Sequence, residues 1–304
     1  MKDKIVLGID IGGSHITVGL VNLETRLLLA DSLLRRRVDS KASSPEIIAS
    51  WIAAIQAAIR KDSRFSGKIG IAMPGPFDYK RGISLIKDQD KYDALYGLNV
   101  KQLLAEGLRK EVENIRMMND ARSFMQGEVY GGAARGCTRA IGLTLGTGLG
   151  SARFRNGEAE DADLWRSPFK AGIAEDYLSA RWFIQRFHAL TGDWVKGVKD
   201  LVHLAQKNSV VRQVFEEFGD NLAEFLQPLL MEEDPEIVVL GGNIARAYDL
   251  YVSSLEKKLD AEVVKKCIRL TGLGEKAALV GAASCWDNNY STSGKLISGF
   301  GAGE

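Results

Sequence analysis

The sequence predicts an α/β protein built of two related lobes with a cleft between them. Two strand–glycine turn–strand units, Gly8-Ile9-Asp10-Ile11-Gly12-Gly13-Ser14 and Thr144-Leu145-Gly146-Thr147-Gly148-Leu149-Gly150, lie far apart in the chain. Each opens a segment of mixed strands and helices, so the chain reads as one plan used twice. Its 304 residues correspond to about two domains by the usual size prior. Two such lobes set the glycine turns face to face, with the boundary expected between Met118 and Asp120. No Ser/Pro-rich linker separates them, which points to hinged rather than loosely tethered lobes.

The elements follow in order. Lys4 to Asp10 alternates apolar and variable positions up to Gly12-Gly13 and predicts a strand running into a tight turn. Strands over Ile16–Val21 and Arg26–Leu34 complete an antiparallel meander. Ile47, Ile48, Trp51, Ile52 and Ile55 have helical spacing over 45–60, with Ser43 or Ser44 as the cap. A short strand over Lys68–Met73 stops at Pro74-Gly75-Pro76, a helix covers Asn99–Leu108, a strand Ile115–Met118 and a helix Ala121–Val129. In the second half, strands are expected over Arg139–Leu145 and Ser151–Phe154, then helices around Glu175–Phe187, Leu201–Gln206 and Val211–Met231. Glu236–Leu240 is a buried strand ending at Gly241-Gly242, followed by a helix through Leu255, a strand over Cys267–Leu270 and a helix over Lys276–Trp286. The tail from Asn288 to Glu304 is rich in Ser and Gly and is expected to be flexible.

Composition narrows the function. An apolar fraction of 45% and a charged fraction of 26% are those of a globular protein. A net charge of +1 supplies no field for nucleic acid or an anionic membrane, so an anionic ligand must be held by local geometry. No apolar run is long enough to cross a bilayer, and Met1-Lys2-Asp3-Lys4 leads into the first strand without a signal-peptide core. Cys137, Cys267 and Cys285 are scattered without CxxC spacing and read as buried thiols in a reducing compartment. A cytoplasmic location is the expectation.

A polyphosphate needs several backbone N–H groups converging on one point, and glycine lets the chain come close enough to provide them. The first turn adds Asp10 at a strand end, placed for magnesium, which takes one or two carboxylates, often through water. The second turn adds glycine amides and the Thr147 hydroxyl. Taken singly, each turn reads equally well as a plain hairpin. The spacing is not that of a dinucleotide fingerprint, and no GxxxxGK[ST] loop is present. Val238-Val239-Leu240-Gly241-Gly242-Asn243 runs a strand into a helix start, which suits an anion or the polar edge of a nucleoside; the competing reading is a glycine packing point. Asn119-Asp120 sits where a strand meets a helix. Both are favoured helix caps, but their place at the inferred cleft suits an Asp that takes the proton of a phosphoryl acceptor.

In this order the five segments resemble the actin-like sugar-kinase superfamily and, within it, the ROK family (repressors, open reading frames and kinases). The matching segments are Gly8 to Ser14, Met73-Pro74-Gly75-Pro76, Asn119-Asp120-Ala121 with Gly127-Glu128, Leu143 to Gly150, and Leu240-Gly241-Gly242. The resemblance implies a two-lobed actin-like, ribonuclease H-like ATPase fold with the site in the interdomain cleft. The lobes would be residues 1–118, completed by a C-terminal helix within 276–304, and 119–275. It implies ATP-dependent phosphorylation of a hexose or hexose derivative, with Asp120 as base and Asn119, Pro74 and Gly75 bordering the sugar. Asp10 would hold Mg2+ or its water. Gly12, Gly13, Ser14, Thr17, Gly146, Thr147 and Gly148 would meet the phosphates, and Gly241, Gly242 and Asn243 the adenosine. A homodimer is implied by the family alone.

The departures lie in the sugar-binding region. Many relatives carry a structural zinc built on cysteines; the stretch Phe169 to Leu178 has none, and no zinc is expected. Glu175, followed by Tyr177, resembles a sugar-binding glutamate and reads equally as an acid opening a helix. The Glu-x-Gly-His element of relatives is matched best by Asp163-Leu164-Trp165-Arg166. There the acid is shorter, and an arginine brings a planar donor fork unless it pairs with Asp163. These changes bear on the sugar and leave Asp120 untouched. Two other classes stay open: a sugar- or nucleotide-binding protein of the same family without turnover, and a sugar-responsive transcriptional regulator. The second carries a helix-turn-helix ahead of the first glycine motif, where only Met1 to Leu7 stand here.

Overall fold

The computed structural model describes residues 4–89 and 91–288. Most of the tail expected to be flexible lies outside them. Strands β1 (Ile5–Ile11) and β2 (His15–Asn22) form a hairpin around the first glycine turn, with Asp10 opposite Thr17 and Ile11 opposite Ile16. β3 (Leu27–Leu28) and β4 (Leu34–Arg37) both pair with β2. The single strand expected over 26–34 is therefore broken, and Ser32 explains why. Its hydroxyl accepts the Leu20 N–H at 2.8 Å and donates to the Leu29 carbonyl at 2.6 Å, so local side-chain bonds replace the ladder.

Helix α1 (Ser44–Ile59) begins with Pro45 in its first turn, and the Glu46 carboxylate reaches back to the Ser43 N–H at 3.0 Å, a capping device that sets the helix start. It buries Ile47, Ile48, Trp51 and Ile55. There follow β5 (Phe65–Met73), the short hairpin β6 (Phe77–Asp78) and β7 (Ile83–Ser84), α2 (Val100–Leu108), β8 (Ile115–Asn119) and α3 (Asp120–Gly131).

The second half has β9 (Ala140–Leu145), β10 (Leu149–Arg155) and β11 (Glu158–Asp161), then β12 (Pro168–Phe169) and β13 (Gly172–Ile173). Helices α4 (Ala174–Tyr177), α5 (Ala180–Thr191), α6 (Val198–Leu204) and α7 (Ser209–Glu233) lead to β14 (Ile237–Gly241). The helix expected from 242 through Leu255 is in two pieces, α8 (Gly242–Ala245) and α9 (Val252–Leu259), separated by a 3-10 turn at Tyr248–Leu250. α10 (Ala261–Cys267), β15 (Ile268–Leu270) and α11 (Ala277–Ser284) complete it.

The main sheets run β3-β2-β1-β5-β8 and β11-β10-β9-β14-β15. Each is an antiparallel meander continued by two parallel strands, so the connectivity is the same in both halves. One apolar core packs α1 and α2 on the first sheet around Trp51, Ile9 and Ile71. The other packs α5, α7 and α9 on the second around Phe183, Phe215, Phe218 and Tyr251.

The helices that end each half are exchanged between sheets. α3 follows β8 yet lays Phe124 and Met125 on β9 and β14, in a cluster with Ala140, Val239 and Phe154. α11 follows β15 yet packs Leu279, Val280 and Ala283 against Val6 and Val21 of the first sheet. The two helices cross at Gly127 and Gly281. A Cβ on Gly281 would run into the Ser123 carbonyl, and one on Gly127 into that of Ala277. The Ser123 hydroxyl donates to the Ala278 carbonyl at 2.7 Å. Glu128, fully buried, fastens the crossing from below: its carboxylate accepts the N–H groups of Ala133 (2.7 Å), Gly272 (2.9 Å) and Leu273 (3.1 Å) and the Thr271 hydroxyl.

Candidate active site

The parallel strands β1, β5 and β8 end at the same edge of the first sheet, and β9, β14 and β15 do so in the second. In α/β sheets, ligands collect beyond such carboxyl ends. A cavity of about 440 Å³ lies there between the lobes, lined by Asp10 and Asp120 from one side and Thr144, Gly242 and Asn243 from the other. Phe124, Arg246, Leu270, Thr271 and Glu275 also contribute to its wall.

Asp10 is the penultimate residue of β1, beside Ala72 of β5. Its carboxyl is raised from 3.8 to about 7, first by burial and then by repulsion from Asp120 and Glu275, with Arg35 acting the other way. Asp120 opens α3. Burial pushes its carboxyl up, against a hydrogen bond from the Ala121 N–H at 2.9 Å and the charge of Lys91. Two carboxyls sharing a small cavity resist ionising together, so a divalent cation with bound phosphates fits the pair by charge.

Asn119, Pro74 and Gly75 come together beside Asp120. Met73 pairs with Asn119 across β5 and β8, and the Tyr79 hydroxyl ties the two strand ends. It donates to the Met73 carbonyl at 2.9 Å and accepts from the Asn119 Nδ2 at 3.4 Å. Gly75 precedes a cis proline, Pro76, and a Cβ on it would lie 3.2 Å from the Tyr79 hydroxyl. The Asn119 side chain also accepts the Arg122 N–H at 3.0 Å. The cap reading of that residue therefore holds as well.

The first glycine turn is closed by the Gly12 N–H donating to the His15 carbonyl at 2.9 Å, and the exposed Ser14 hydroxyl lies 2.9 Å from His15 Nδ1. Tyr92, in a left-handed conformation with φ 59° and fully buried, donates its hydroxyl to the Gly12 carbonyl at 2.6 Å. Thr17 stands opposite Asp10. The second turn is closed by the Gly146 N–H on the Gly148 carbonyl at 3.0 Å; Thr147 sits at its tip. Gly241 and Gly242 have a packing reason of their own. A Cβ on Gly241 would come within 2.5 Å of the Phe124 ring, and Gly242, at φ 85°, abuts the Leu145 carbonyl. α8 is only four residues long.

Three residues expected at the sugar have partners within the chain. Glu175 sits under the second glycine turn, where it accepts the Leu149 N–H at 3.0 Å and pairs with Arg181 at 3.2 Å. Asp163 and Arg166 form their own exposed ion pair at 2.7 Å on a one-turn 3-10 helix. The acid within the field of Asp120 is Asp161, at the end of β11. Desolvation raises its carboxyl, with Asp163 and Asp120 adding to the rise, while the Asp163 N–H donates to it at 3.0 Å. Sequence reasoning passed over Asp161 although a signal stood beside it. Asn156-Gly157, with φ 56° and 81°, is a two-residue hairpin turn, and that pair between alternating residues marks a strand on either side.

Two lobes of one strand order, closing on a cleft with acids at the strand ends, form the two-lobed actin-like ATPase fold expected from the sequence. The chain belongs to the ROK family, which it matches over residues 6–161 and 170–289. It is 26% identical over 275 residues to the N-acetyl-D-glucosamine kinase of Pectobacterium carotovorum subsp. carotovorum (strain PC1), covering 80% of this chain and 85% of that protein. It is also 26% identical over 319 residues to the glucokinase of Thermotoga maritima, covering 92% and 96%. Among solved structures, a ROK family glucokinase from Streptomyces griseus in complex with glucose and AMPPNP aligns with a TM-score of 0.71 at 23% identity, covering 92% of this chain and 98% of that one. At that identity the likeness is one of fold.

Proposed function

We propose that the protein transfers the γ-phosphoryl group of ATP to a hydroxyl of a hexose or hexose derivative, with Asp120 as the general base. The observation that carries this reading is a single cleft lined by Asp10, Asp120, Thr144, Gly242 and Asn243 from both lobes. The acceptor hydroxyl would lie against Asp120, bordered by Asn119, Pro74 and Gly75. Asp120 takes its proton as the oxygen attacks the phosphorus in line, and ADP leaves. A carboxyl held above its ordinary value by burial, with the Ala121 N–H and Lys91 pulling it back, is a stronger base than a surface aspartate.

Asp10 is the residue that would hold Mg2+, directly or through water, and the ion would neutralise the phosphates and let Asp10 ionise beside Asp120. The glycine turns present backbone donors to the phosphates, and Gly241, Gly242 and Asn243 border the nucleoside. Asp161 replaces Asp163 in our reading as the acid that meets a sugar hydroxyl, and Glu175 supports the second turn. We take the lobe boundary at Asn119–Asp120 and assign α11 to the first lobe. Three free cysteines suit the cytoplasm, no helix among the described residues is long and apolar enough to cross a membrane, and a homodimer is the assembly we propose.

Coupled ADP release over a panel of glucose, N-acetylglucosamine, N-acetylmannosamine and unacetylated amino sugars tests the reading. One sugar should give turnover that Asp120→Ala lowers by about 10²- to 10⁴-fold, the usual contribution of a general base. Binding of a sugar without any Asp120-dependent ADP would identify a family member that has lost catalysis.

A further inference from the structure

Glu275 holds an arginine from each lobe. Its Oε2 accepts from Arg35 Nη1 at 2.6 Å and its Oε1 from Arg246 Nη2 at 2.7 Å. Arg35 belongs to β4, Arg246 follows α8, and Glu275 lies on the 3-10 turn Gly274–Lys276 just before α11. Strand register says where Arg35 stands. Asp10 is opposite Thr17, and Thr17 is opposite Arg35; directly opposed residues share a face of the sheet. These three side chains therefore form one row on the face that carries Asp10 into the cleft. On the other wall, Arg246 and Glu275 line the same cavity as Asp10 and Thr144.

The arrangement is poorly suited to be a mere strut. The side chains of Arg35, Glu275 and Arg246 are 49%, 51% and 65% exposed, and ion pairs this open to water contribute little stability. The trio carries two positive charges against one negative, so it is cationic as a unit. Among the described residues lining the cavity, Arg246 is the one cation, facing Asp10, Asp120 and Glu275. Glycine turns supply neutral donors only. Guanidinium forks match phosphate oxygens in charge and in spacing, and two of them here are occupied by a single carboxylate.

We propose that Arg35 and Arg246 are the two arms of a clamp for the terminal phosphates of the nucleotide, held ready by Glu275 until those phosphates displace it. The inference rests on the nucleotide reading of the cleft and deepens it. Because the arms come from different lobes, exchanging one carboxylate for a polyphosphate bound by both lobes couples nucleotide binding to lobe closure.

The test is equilibrium binding of ATP, ADP, AMP and adenosine, with magnesium and no sugar, to the wild type and to Arg35→Met, Arg246→Met and Glu275→Gln. Each arginine variant should weaken ATP by about tenfold, the scale of one charge-assisted contact, and leave adenosine unchanged. Glu275→Gln should tighten ATP by about threefold, the scale of an exposed ion pair relieved. The opposite signs are the signature. Weakening by Glu275→Gln, or equal losses for adenosine and ATP, would show a strut and overturn the clamp. Unchanged ATP affinity in all three variants overturns the clamp and leaves the kinase reading standing. A wild type that binds neither ATP nor adenosine overturns both.

Discussion

The two sheets share one strand order but end in different chemistry. β1 and β9 each place a polar side chain one residue before the end of the strand, Asp10 in the first and Thr144 in the second. Each stands beside the next parallel strand, at Ala72 and Gly241, and both line the same cavity. β8 then delivers Asp120 at the start of α3, whereas β15 delivers Thr271 before α11. The frame was used twice; the acids were not. Asp10 and Asp120 already raise one another's cost of ionising, and a third carboxylate at the Thr144 position would add to it where phosphates must also enter. Backbone donors, which the glycine turns of both lobes would offer in our reading, carry no such penalty.

This asymmetry is broken most directly by exchanging the paired positions. Asp10→Asn should lower kcat/KM by about 10²- to 10³-fold, as expected when a group stabilising transition-state charge is lost. Thr144→Val should cost about tenfold or less, the scale of one neutral hydrogen bond. Steady-state kinetics on the two variants gives the comparison. Equal losses would mean that the second lobe carries as much of the charge stabilisation as the first.

A smaller effect is expected at the helix exchange, where the halves are alike. Gly281→Ala places a methyl group on the Ser123 carbonyl, in the closest contact between α11 and α3. Backbone cannot yield as a side chain does, so the variant should lose about 2–3 kcal/mol in urea unfolding, the upper range for overpacking. Gly146→Ala meets nothing within 4 Å and should stay within about 0.5 kcal/mol of the wild type, as surface changes do. The first result concerns the frame, and the second shows whether a glycine at the turn is needed for folding or for ligand approach.

How much of this was legible beforehand follows from what each segment uses to hold its shape. The first two strands of the meander and α1 are held by apolar periodicity and lie where the sequence places them, whereas the third, expected over 26–34, is broken at Ser32. β11 is held by the Asn156-Gly157 turn and by one buried side chain, Ala159, among Glu158, Glu160 and Asp161. An acidic run of that kind reads as solvated loop, so the sequence pattern points to Asp163 rather than to Asp161, the acid we propose for the sugar. Asp163 is a helix-start residue with φ 51° that keeps Arg166 for itself. Glu175 lies in the first turn of α4, but its carboxylate holds a turn 26 residues upstream, which no local pattern encodes. The row from Asp10 through Thr17 to Arg35 depends on which strand pairs with β2, and that required the broken segment around Ser32.

The finest test of the asymmetry is titration. An acid whose folded value is raised holds its proton more firmly in the folded chain than in the unfolded one. The contribution of Asp10 to stability is therefore most favourable below its ordinary value of 3.8, declines as pH rises toward about 7, and levels off above. Asparagine does not titrate. The unfolding free energy of Asp10→Asn, measured against the wild type in urea, should gain steadily from pH 4 to pH 7. The gain should reach about 1–2 kcal/mol, less than full linkage because the carboxyl borders an open cleft. Thr144→Val should show a difference that does not change with pH. Adding a magnesium–nucleotide analogue should shrink the Asp10→Asn advantage, since the cation lets the wild-type carboxyl ionise without repulsion. A pH-independent difference for Asp10→Asn would mean that its charge is as well solvated as that of a surface acid, and the division of charge between the lobes would lose its physical basis.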